Sequence, residues 1–108
     1  MAQEKNYENK IKRYVESLGG WQVKFFANRM TKTGVPDILV CLNGQFIGIE
    51  VKADKGVPSD LQLYQIGKIR NAGGLAFVVY PSGWEQLCEI LDNCSNGLKN
   101  DNLPIIIK

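Results

Sequence analysis

Apolar residues recur through the first part of the chain at Tyr7, Ile11, Tyr14, Val15 and Leu18, with charged residues between them. That spacing gathers them on one side of a helix over 7–18, and Gly19-Gly20 supplies its C-terminal stop. From residue 21 the period drops to two. Trp21, Val23 and Phe25 share one face of a predicted strand over 21–26, and a polar, basic loop over 27–34 leads to Gly34-Val35-Pro36. Two further strands, 37–42 and 45–52, flank Asn43-Gly44, the residue pair that a tight type I′ hairpin favours. After Gly56 and Pro58, Ser59-Asp60-Leu61-Gln62 has the form of a capping box, which opens a helix running to Ala72 before Gly73-Gly74. Residues 75–80 form an apolar strand ended by Pro81. Ser82-Gly83-Trp84-Glu85 reads as a second capping box, opening a helix with Trp84, Leu87, Cys88 and Leu91 on its inner face and Gly97 at its end. A short strand at 105–107 closes the chain. The order α-β-β-β-α-β-α, with apolar residues on both faces of the middle strands, predicts an α/β domain over 1–108, a mixed sheet covered by helices.

The hairpin can be worked through residue by residue. A two-residue turn sets Leu42 opposite Gln45, Val40 opposite Ile47, Ile38 opposite Ile49 and Asp37 opposite Glu50. Ile38, Val40, Ile47, Ile49 and Val51 then form an aliphatic core face, while Asp37, Glu50 and Lys52 fall on the other. Directly opposed like charges destabilise a sheet. Two facing carboxylates at the end of an apolar hairpin therefore point to a divalent cation, Mg²⁺ or Mn²⁺, which prefers oxygen ligands. The alternative is that Asp37 lies just outside the strand and Glu50 pairs with Lys52.

Composition narrows the chemistry. Hydrophobic residues at 44% and charged residues at 22% describe a globular chain. Thirteen Lys and Arg against eleven Asp and Glu leave +2, too little to imply a nucleic-acid partner alone. The excess is uneven: residues 1–80 hold eleven basic and seven acidic side chains, and 81–108 hold two and four. The absence of histidine from all 108 residues excludes Ser-His-Asp and Cys-His triads, His-ligated zinc and histidine general bases. Cys41, Cys88 and Cys94 form no CxxC pair and read as buried free thiols. The first ten residues carry no apolar stretch of a signal peptide, and no apolar run reaches membrane-spanning length, so the sequence reads as a cytoplasmic protein with no membrane partner.

Gly34-Val35-Pro36-Asp37, followed by Glu50-Val51-Lys52, resembles the PD-(D/E)xK motif of the restriction-endonuclease-like nucleases, whose core has the same α-β-β-β-α-β order. Ser59-x-x-Gln62, a helix, Gly73-Gly74 and an apolar strand narrow the resemblance to the VRR-NUC branch of replication and repair nucleases, including small stand-alone phage forms. The Val-Arg-Arg run is absent. The resemblance implies Asp37 and Glu50 as metal ligands, the Val51 carbonyl as a further ligand and Lys52 as the catalytic lysine. Glu8 matches an acidic position beside the metal, or is a helix-start carboxylate helped by the dipole. Glu4 is the fallback, placed before the predicted helix. Gln62 matches a site glutamine, or serves only its capping box, since one amide does not easily do both.

The activity implied is metal-dependent hydrolysis of DNA phosphodiester bonds, selective for structures such as Holliday junctions, with Mg²⁺ or Mn²⁺ as cofactor. Arg29 and Lys32 in the basic loop, Lys55, and Lys10, Lys12 and Arg13 on the first helix hold flanking phosphates or are solvated charges. Cutting a four-way junction takes two sites, so a homodimer is expected, with Trp84 in the core or at the interface. The competing function is a non-catalytic DNA-binding module that keeps the nuclease fold.

Overall fold

The computed structural model describes residues 2–28, 30 and 32–108. Its elements are α1 (Ala2–Ser17), β1 (Trp21–Lys24), β2 (Ile38–Leu42), β3 (Gln45–Val51), α2 (Asp60–Asn71), β4 (Leu75–Val79), a 3₁₀ turn at Pro81–Gly83, α3 (Trp84–Ser95) and β5 (Ile106–Ile107). The strands form one mixed sheet in the order β1-β2-β3-β4-β5. β1, β2 and β3 are antiparallel neighbours, and β3, β4 and β5 run parallel. No helix among the described residues is long and apolar enough to cross a membrane.

The hairpin follows its turn. Asn43 and Gly44 both have positive φ, 50° and 80°, as a type I′ turn requires. The ladder then pairs Leu42 with Gln45, Val40 with Ile47 and Ile38 with Ile49. These aliphatic residues meet Phe77, Val79 and Ile107 of the parallel strands, Tyr7, Ile11 and Val15 of α1, and Leu87, Ile90 and Leu91 of α3 in one apolar layer. On the other face α2 packs on β3 and β4, where Ile66 and Ile69 cover Ala76, Val78 and Tyr80. That second layer is small, and it stops short of β1 and β2.

In β1 the polar residues, not the apolar ones, face inward. Its apolar residues Trp21 and Val23 are 61% and 40% exposed, whereas Gln22 and Lys24 turn toward the side that α1 covers. The uncovered face continues through Cys41, opposite Trp21, and Phe46, opposite Cys41. This position explains why Cys41 is exposed rather than buried; Cys88 is half-buried, Cys94 buried, and all three are free.

Two helix starts also differ from expectation. α1 begins at Ala2, which brings Glu4 into the helix one turn before Glu8. The second capping box does not form. Ser82 lies inside the 3₁₀ turn, and the cap of α3 is Gly83, which has no side chain to bond with. A Cβ on Gly83 would sit 2.5 Å from the Ile107 carbonyl oxygen, so close packing against β5 decides that residue. Trp84 is half-buried between α3 and α1, edge-on to Tyr7 and Tyr14 at ring separations of 6.0 and 5.4 Å.

Candidate active site

The open end of the β2–β3 hairpin gathers the acids. Asp37 lies one residue outside β2, yet its carbonyl accepts a hydrogen bond from Phe25 N at 2.8 Å, extending the β1–β2 pairing to it. Its Oδ2 accepts from the Val51 backbone N–H at 3.0 Å. Glu50, on the α2 face of β3, is only 2% exposed. Its Oε2 accepts from Gln62 Nε2 at 2.9 Å and lies 3.6 Å from Lys52 Nζ. Both geometric alternatives therefore hold together: Asp37 stands outside the strand and Glu50 pairs with Lys52, while the two acids still converge.

Convergence leaves a mark on Glu50. Burial pushes its carboxyl up to about 8, the charge of Asp37 adds to that, and Lys52 opposes it. Glu50 Oε1 is buried without a hydrogen-bond partner. A buried carboxylate oxygen with nothing to accept is costly and calls for a ligand. Oxygen donors around that atom suit a hard divalent cation, which Asp37, Glu50 and the adjoining Val51 carbonyl could hold.

Gln62 shows how α2 serves this end of the sheet. Ser59 Oγ accepts from Gln62 N at 3.1 Å and Gln62 Oε1 accepts from Ser59 N at 2.8 Å, a complete capping box. The same side chain still reaches Glu50, because the amide oxygen serves the cap and the amide nitrogen serves the carboxylate. The two roles expected to compete coexist. Gly34 holds the preceding loop close by: its φ is +85°, and a Cβ would lie 2.5 Å from the Leu61 carbonyl oxygen at the start of α2.

From the other face, α1 contributes Glu8, 7% exposed. Carboxylate oxygens of Glu4, Glu8 and Asp37 lie within 4.8 Å of one another, so the longer helix makes Glu4 a neighbour of the site rather than a remote fallback. Lys24 Nζ sits among them, 2.9 Å from Glu8 Oε2 and 3.5 Å from Asp37 Oδ1. Lys24 carries no motif. The signal for it was the alternation of β1, which sets it on the face opposite Trp21 and Val23. The tip of α1 is also tied to the loop after β3, where Gln3 exchanges two 3.0 Å hydrogen bonds with Asp54.

The basic candidates scatter. Lys32, Lys55 and Arg13 are exposed, and Lys12 is half-buried one turn beyond Glu8. Lys10 is engaged elsewhere, 4.4 Å above the Trp84 ring. Arg29 lies outside the described residues.

No protein-family model matches the sequence, and no curated protein matches it. Among solved structures, a VRR_NUC domain superimposes with a TM-score of 0.70 and 28% identity, covering 83% of this chain and 95% of that one. The Holliday junction resolvase Hjc of the archaeal hyperthermophile Archaeoglobus fulgidus superimposes with a TM-score of 0.55 and 20% identity, covering 70% of this chain and 66% of that one. The mixed five-stranded sheet, with its antiparallel β1-β2-β3 part and parallel β3-α2-β4 unit, gives this chain the restriction-endonuclease-like fold of these structures.

Proposed function

We propose that this protein is a metal-dependent DNA endonuclease that hydrolyses phosphodiester bonds, selective for branched structures such as four-way junctions, in DNA replication, recombination or repair. One observation carries the reading: Asp37 and the buried Glu50 converge at the hairpin end with a Glu50 oxygen unsatisfied and Lys52 alongside. The likeness to a VRR_NUC domain and to a Holliday junction resolvase supports it.

In this reading Asp37, Glu50 and the Val51 carbonyl hold Mg²⁺ or Mn²⁺, with Glu8 beside them. The ion supplies Lewis acidity toward the phosphate and the attacking water. Lys52, kept in place by Glu50, offers its ammonium to the non-bridging phosphate oxygens as negative charge builds on them. Gln62 fixes the Glu50 carboxylate from α2. Water attack on phosphorus breaks the P–O3′ bond, the 3′-oxygen takes up a proton, and the products carry a 3′-hydroxyl and a 5′-phosphate. Arg29, Lys32, Lys55, Lys12 and Arg13 contact flanking phosphates, which sets register rather than sequence preference.

Each chain offers one such site, so cutting both strands of a junction calls for a two-fold homodimer. We assign the second copy to the bare sheet face of Trp21, Val23, Cys41 and Phe46. Its two aromatic side chains alone expose on the order of 200 Å². That suits the apolar centre of an interface whose rim supplies the rest of about 800 Å² per partner.

Labelled four-way junctions, flaps, nicked duplexes and linear duplexes, incubated with Mg²⁺ or Mn²⁺, test the proposal. Paired cuts in the junction are expected, lost in EDTA, from a protein that sediments as a dimer at micromolar concentration. Trp21→Lys should yield a monomer that nicks one strand. Binding without cleavage of every substrate in either metal would replace this reading with the non-catalytic DNA-binding module.

A further inference from the structure

We infer that Lys24 is a built-in counter-ion occupying a second cation position, so that the site loads one divalent ion per chain rather than two. The inference rests on the metal-dependent reading above and deepens it.

Asp37 belongs to two acidic groupings at once. On one side it meets Glu50 and the Val51 peptide, where Glu50 Oε1 is buried and unpartnered. On the other, its carboxylate joins those of Glu4 and Glu8, with oxygens within 4.8 Å of one another. Two adjoining cation positions sharing one aspartate would be the layout of a two-ion centre. The second position is already filled. Lys24 Nζ bridges Glu8 Oε2 at 2.9 Å and Asp37 Oδ1 at 3.5 Å, and its side chain is only 24% exposed.

The backbone fixes that placement. Lys24 is the last residue of β1, paired with Ile38, and Phe25 N continues the pairing onto the Asp37 carbonyl. Lys24 is therefore anchored beside Asp37 by strand pairing and directed to the α1 face by alternation. Its ammonium is held between the two carboxylates by these ion pairs. Lys52 sits on the other side, near the Glu50 oxygen that also binds Gln62. Two fixed ammonium groups thus flank the acids, and one buried oxygen is left for a cation. A second divalent ion would have to enter at contact distance from Lys24, against direct Coulomb repulsion. Removing the Lys24 charge leaves partly buried carboxylates uncompensated, a costly state that a metal ion relieves.

Manganese alone is the probe. Calorimetric titration of the full chain should give one Mn²⁺ per chain for wild type and for Lys24→Arg, and two for Lys24→Met. The electron paramagnetic resonance signal of bound Mn²⁺ should broaden by ion–ion coupling only in Lys24→Met. Adding Glu8→Gln to that variant should return the count to one. Circular dichroism checks that each variant folds, and Lys24→Gln substitutes should Lys24→Met fail to. Two ions in the wild type, or one in a folded Lys24→Met or Lys24→Gln protein, would overturn the inference and leave the metal-dependent reading standing. No Mn²⁺ bound by wild type would overturn that reading as well.

Discussion

One strand, β3, is put to opposite uses on its two faces. Ile47, Ile49 and Val51 point toward α1 and α3 and are fully buried among aliphatic and aromatic side chains. Gly48 and Glu50 point toward α2, where the packed layer is thinner and a buried carboxylate oxygen goes unsatisfied. The difference separates stability from chemistry. Continuous aliphatic burial on one side lets the other carry repelling acids that a small sheet could not otherwise tolerate.

The largest expected effects test that separation directly. Asp37→Ala, Glu50→Ala and Lys52→Ala should each lower cleavage by about 10²–10³-fold or more, with melting temperatures close to wild type. Ile49→Ala, one residue from Glu50 on the opposite face, should cost about 2–5 kcal/mol of stability and reduce activity only through its unfolded fraction. A folded, active Glu50→Ala protein, or an Ile49→Ala protein of unchanged stability, would break the comparison.

A smaller effect is set by pH in the metal-free protein. Burial first, and the charge of Asp37 second, hold the Glu50 carboxyl up to about 8, against an ordinary value of 4.5. The folded state thus keeps a proton that the unfolded chain releases. The stability linked to this group is fully present below about pH 4.5 and is lost as pH rises through about 8. Urea unfolding in chelator from pH 5 to 9 should show that decline in wild type and a flatter profile in Glu50→Gln. A wild-type profile that rises over this interval would contradict the assignment.

Local chemistry made much of this legible. A two-residue turn at Asn43-Gly44 leaves one register, so the pairing from Ile38–Ile49 to Leu42–Gln45 and the meeting of Asp37 with Glu50 follow by arithmetic. The Ser59–Gln62 box was equally local. What depended on distant packing was not legible. Alternation in Trp21-Gln22-Val23-Lys24 defines two faces without saying which is covered, and the side chosen by α1 turned the polar pair inward. For that reason the sequence alone does not reveal Lys24 at the acids, the exposure of Cys41 or the open face of Trp21. Ser82 does not cap α3 because Pro81–Gly83 form a 3₁₀ turn, which leaves Gly83 at the cap position. The double engagement of Gln62 is not legible either, because the sequence does not show that its two amide atoms point to different partners.

If Asp37 and Glu50 form a cation site, thermal unfolding of wild type and Asp37→Asn with and without millimolar Mn²⁺ will separate the two proteins. An ion that binds only the folded state adds about 2.7 kcal/mol at a hundred times its Kd. At about 4–8 °C per kcal/mol for a chain of this size, wild type should gain roughly 10–20 °C. Asp37→Asn should lose most of that gain. In EDTA it should melt close to wild type, because the amide still accepts the Val51 N–H and sheds a charge facing Glu50 while giving up the Lys24 ion pair. A wild-type melting temperature unmoved by Mn²⁺, or an equal rise in Asp37→Asn, would mean that these acids hold no cation.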